Sequence, residues 1–169
     1  MKDWIKKDRL EFKIGSLEWI NFLGFPVGLI MLSLINLFFV FKTGDSEKLA
    51  VLLSCFIVCF ITGTLSYFLQ LRRLRFKSFR LDKELGKFKN DLREILKRSN
   101  WEIDFDNELY LQATYRGSVT NLDMMTLRFT KEEIRWNVIR HPLSHNSIAA
   151  LITFNKHGKR IIEQIKANA

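Results

Sequence analysis

Five cations fall within nine residues of one segment, RRLRFKSFR (72–80), where Arg72, Arg73, Arg75, Lys77 and Arg80 are interleaved with Phe76 and Phe79. Such a cluster attracts anions. Beside a bilayer each Lys or Arg near anionic headgroups contributes about 1 kcal/mol, and aromatic rings insert at the interface. The five cations and two phenylalanines are therefore the expected anionic-lipid contact. Basic residues with aromatics between them also suit phosphate binding and base stacking, but two apolar runs directly upstream favour lipid over nucleic acid. The plainest role for these cations is to fix membrane topology.

Other chemically able residues give weaker patterns. His141 and His145 have the HxxxH spacing that presents two metal ligands on one helix face, yet Pro142 follows the first and disfavours a regular helix there. His157 lies in NKHGKR (155–160), whose donors at a helix start could cradle an anion, although the motif is short. Glu102, Asp104, Asp106 and Glu108 recur at every second residue. Paired carboxylates do acid–base work only where their environments differ, so a solvated strand face explains them more simply. Cys55 and Cys59 stand one turn apart inside an apolar run and read as small packing residues rather than as a disulfide or metal pair. The chain contains no P-loop, dinucleotide fingerprint, nucleophile elbow or CxxC. The sequence leads us to expect no catalytic residue, no metal and no cofactor.

The elements that carry these residues begin with two uncharged runs, Trp19–Phe41 and Leu49–Leu71, each 23 residues long. Each exceeds the roughly 20 residues needed to cross about 30 Å of hydrocarbon. The first is too long for the apolar part of a cleaved signal peptide, and no small-x-small site follows it. A transmembrane hairpin over 19–71 is expected, with residues 42–48 as its outside turn. The flanks decide its orientation. Residues 1–18 carry five Lys or Arg and residues 72–80 another five, against Lys42 and Lys48 in the turn. Positive flanks stay inside, so both termini are expected in the cytosol, across a bacterial-type inner (plasma) membrane.

Small residues at four-residue spacing let helix backbones approach in lipid. Gly24 and Gly28 on the first span, and Cys55, Cys59 and Gly63 on the second, are the expected packing stripes. A homo-oligomer through the same faces is the alternative. Neither span contains an Asp, Glu, Lys, Arg or His, which argues against a transporter or proton relay.

From residue 72 onward the chain has enough length for one small domain. Its net charge of +9 is concentrated at the membrane exit: residues 72–98 hold eleven basic and four acidic residues. Leu71, Leu74, Ser78, Leu81, Leu85, Phe88, Leu92 and Ile95 recur at steps of three and four, which predicts a basic juxtamembrane helix over 72–99. Its stripe over 81–99 should pack on its own domain, with a coiled coil as the alternative.

The period then changes to two. Trp101, Ile103 and Phe105 alternate with acids, and Leu109, Leu111, Ala113 and Tyr115 form a second row. After a loop at 116–123, Met125, Leu127 and Phe129 alternate with polar residues, as do Ile134, Trp136 and Val138. NSIAALITF (146–154) fits either a strand or a buried helix. Asn155 is a candidate cap for a last helix with Ile161, Ile162 and Ile165 on one face. The expected fold is thus an α+β membrane protein: a short cytosolic lead (1–18), the hairpin, the basic helix, then about four antiparallel strands and a terminal helix (100–169). The expected function is a non-catalytic membrane-anchored interaction module: an adaptor, a sensor or an immunity-type protein with an unidentified protein partner. A membrane-disrupting or pore-forming effector and a membrane-tethered nucleic-acid binder are the alternatives.

Overall fold

The computed structural model describes residues 8–43, 46–116, 122–142 and 156–169. They belong to two compact bodies, a helical hairpin from Phe12 to Arg72 and an α+β body built from the chain on either side of it.

In the hairpin, Gly15 adopts φ +80°, a turn conformation open to glycine, and delivers Ser16 as a helix cap. The Ser16 hydroxyl accepts from the Trp19 N–H at 3.2 Å, starting α1 (Leu17–Val40). The second helix, α2, spans Ser46–Arg73. Side chains that would otherwise leave polar groups in an apolar setting bond to their own helix. Ser33 Oγ donates to the Ile30 carbonyl at 2.6 Å, Asn36 Nδ2 to Leu32 at 3.0 Å, and Ser54 Oγ to Ala50 at 2.8 Å. Both helices are long and apolar enough to cross a membrane. Only 17% and 6% of their most apolar windows are buried inside the protein, whereas a core helix of a water-soluble domain hides its apolar face.

In the α+β body the described strands are β1 (Lys77–Arg80), β2 (Trp101–Asp106), β3 (Tyr110–Arg116), β4 (Leu122–Phe129) and β5 (Glu133–Arg140). They form one antiparallel sheet in the order β1-β5-β4-β3-β2. Helices α3 (Leu85–Arg98) and α4 (Lys156–Ala167) cover one face. Phe88, Leu92 and Leu96 from α3, and Ile161, Ile162 and Ile165 from α4, meet Leu111, Ala113, Met125, Leu127, Phe129 and Ile134 of the sheet. Asn107 makes the β2–β3 turn, its Oδ1 accepting from the N–H groups of Leu109 and Tyr110.

Two expectations need correction. The sheet has five strands rather than four, because residues 77–80 are a strand and not part of one helix over 72–99. Four residues are too few to separate a period of two from one of 3.6, and pairing with β5 decides the outcome. Asn137 Nδ2 donates to the carbonyls of Arg73 and Arg75, both at 2.8 Å. These bonds satisfy the end of α2 and turn the chain into β1. Residues 8–10 run alongside: Leu10 N–H donates to Leu74, and Phe76 N–H to Asp8.

The second correction concerns β2. A bulge between Ile103 and Phe105 breaks the alternation. Ile103 pairs with Ala113 and Asp106 with Leu111, both on the helix-covered face, whereas Phe105 pairs with Gln112 on the other. The opposite face is also closed at its centre, where Gln112, Thr114, Thr126 and Asn137 are buried. The segments 143–145 and 146–154, the Asn155 cap and His145 lie outside the described residues.

Candidate functional site

The cations of the exit segment have separate settings. Arg72 and Arg73 end α2, Arg75 forms an isolated antiparallel bridge with Arg9, and Lys77 and Arg80 lie on β1. All five side chains are exposed. The aromatics between them face differently: Phe76 is half-buried, and Phe79 packs against the core of the α+β body. The Lys77 ammonium sits 5.2 Å from the centre of the Trp136 ring.

In the hairpin, one of the three glycines expected at the helix contact meets the other helix closely. A Cβ on Gly63 would lie 2.9 Å from Ile30 Cγ1 and 3.1 Å from the Ile30 backbone nitrogen. At Gly24 such an atom would meet only Ile20 of the same helix, and at Gly28 nothing within 4 Å. Cys55 is exposed and Cys59 half-buried.

A more concentrated arrangement stands at one end of the sheet. Trp101 on β2 pairs with Tyr115 on β3, Tyr115 with Asp123 on β4, and Asp123 with Arg140 on β5. Trp101 and Tyr115 face the helices, and cross-strand partners share a face, so these four side chains form a single row beneath them. The first turn of α4 sets His157 above it, with its ring stacked on Tyr115 at 4.6 Å and 20°. Trp101 tilts against the same tyrosine at 5.5 Å. Burial pushes the Asp123 carboxyl above the usual carboxylate range, and the charges of His157 and Arg140 pull it part of the way back.

Between the end of α3 and the start of α4 this row opens into a cleft of about 460 Å³. Asn100, with φ 58°, turns the chain from the helix end into β2, a conformation asparagine tolerates. Ser99, Asn100 and Gln164 supply polar groups to the walls, Trp101, Tyr115 and Ile161 supply ring and apolar surface, and Arg98, His157 and Arg160 supply charge or donors. Among the described residues no carboxylate lines the cleft. Arg98 pairs with Glu94 at 2.9 Å, but both side chains are largely exposed. An exposed pair of this spacing contributes only about 0.3–0.5 kcal/mol, so the guanidinium can turn to a stronger anion.

In the sequence, His157 and Arg160 stand together within NKHGKR and Trp101 belongs to the apolar row of a strand, with nothing to join them. No local signal could have done so, because the cleft draws on residues from 98 to 164 and the sheet register assembles it. Comparison with known proteins gives no match to a family model, a curated protein or a solved structure.

Proposed function

We propose that the chain is a membrane-anchored, non-catalytic binding module. Helices α1 and α2 cross a bacterial-type inner membrane as a hairpin, both termini are cytosolic, and the α+β body serves as adaptor, sensor or immunity-type protein at the inner face. The observation that carries this reading is the outward apolar surface of two successive helices, continuous in sequence with a domain that has its own core. The Lys and Arg bias of the flanks supports the orientation. Exposed Arg72, Arg73, Arg75, Lys77 and Arg80 are the headgroup contacts in this reading. Phe76 takes part at its exposed edge, while Phe79 is engaged by the domain core.

Capture of the intact protein from native membranes in mild detergent, with a mass for the purified particle, tests the module. A stoichiometric protein partner or a co-purifying ligand is expected. A partner-free oligomer that makes vesicles leak would overturn the proposal.

A further inference from the structure

We infer that the cleft between α3 and α4 binds a phosphate ester carrying a flat ring, a ligand of the mononucleotide class. The inference rests on the reading of this chain as a binding module and names what one of its sites takes. The charge of the walls selects the anion: Arg98 and Arg160 are exposed guanidiniums on opposite sides of the cleft, and no acid among the described residues lines it. Arg160 forms no ion pair among the described residues. Guanidinium forks match phosphate oxygens two at a time.

Size selects more than a bare anion. About 460 Å³ lies in the range of pockets that enclose organic ligands, and inorganic phosphate alone would leave most of it to water. The walls supply the reason for a ring. The imidazole of His157 borders the cleft and already stacks on Tyr115, which in turn meets Trp101. A planar base entering beside His157 lengthens that stack, as bases do on aromatic platforms. Amide groups of Asn100 and Gln164 are then placed to hydrogen-bond a base edge or a ribose.

Titration of the full-length protein in detergent micelles with AMP, with inorganic phosphate and with a short single-stranded oligonucleotide tests this. AMP should bind at least tenfold more tightly than phosphate. Arg160→Ala should weaken both ligands by at least tenfold, and His157→Ala should remove the advantage of AMP while phosphate still binds. Both side chains are exposed, so loss of binding with an unchanged melting temperature reports the site and not the fold. Equal affinity for AMP and phosphate, no binding of either, or binding indifferent to both substitutions overturns the inference. So does a preference for the oligonucleotide with a salt dependence of several phosphates. Failure here with a protein partner captured removes only the ligand, whereas AMP binding by a protein that is not membrane-inserted removes only the module's anchoring.

Discussion

At Gly63 the distance to α1 is set by a missing methyl group. Ile30 could move its side chain aside, but its backbone nitrogen and the Leu29 Cβ, both 3.1 Å from the position of an added Cβ, cannot yield without parting the helices. Gly63→Leu should therefore loosen the hairpin by about 1–3 kcal/mol, the usual range for overpacking, in a denaturant titration in detergent. Gly28→Ala should be neutral or slightly stabilising, since its Cβ meets open space and alanine favours helix. Equal destabilisation by the two substitutions would contradict this contact geometry. Asp123 gives a second test at this scale. Its folded pKa is raised by burial, so the folded state holds the proton more firmly than the unfolded chain. Stability is then greatest below the unfolded value of about 3.9 and falls as pH rises through the higher folded value. Asp123→Asn should melt above wild type near neutrality, with the gap closing on acidification. A gap independent of pH would show that the carboxyl's burial is not its cause.

Among the elements, β1 and the bulge in β2 show what the sequence could and could not reveal. The periods of α3, of β3 to β5 and of α4 were legible because one face of each is apolar over enough residues to distinguish two from 3.6. Residues 77–80 were not, since the helical stripe passes through them at Ser78 while so short a segment also fits a strand, and only the partner strand separates the two. Asn137 settles that boundary from 64 residues away. Asn137→Ala should leave two carbonyls short of a donor, cost about 1–3 kcal/mol and speed hydrogen exchange at 77–80 before it does so in β3 and β4. Uniform acceleration across the sheet would contradict a local role. Leu92, fully buried under the sheet, should cost about 2–5 kcal/mol on replacement by alanine. An exposed neighbour such as Arg93 should cost much less. Arg93 pairs with Asp106 at 2.7 Å, a contact that exists because the bulge brings Asp106 to the helix side. The acidic row at 102–108 thus serves two faces, which strict alternation would not have indicated.

For the molecule as a whole, apolar length and charge distribution carry the argument. Two runs without Asp, Glu, Lys, Arg or His, an outward apolar surface along both helices and an α+β body with a separate core together fit the proposed anchor and its attached module. The cleft was the least legible feature because its cations and rings meet only after two strands and two helices have packed together. The proposed transmembrane arrangement can be tested by impermeant maleimide labelling of single cysteines in intact cells. The native thiols, Cys55 and Cys59, are first replaced by alanine. Lys42→Cys, between the helices, should label from outside, whereas Lys131→Cys, on the exposed β4–β5 turn, should label only after permeabilisation. Labelling of Lys131→Cys in intact cells, or release of the protein from membranes by alkaline carbonate, would rule that arrangement out.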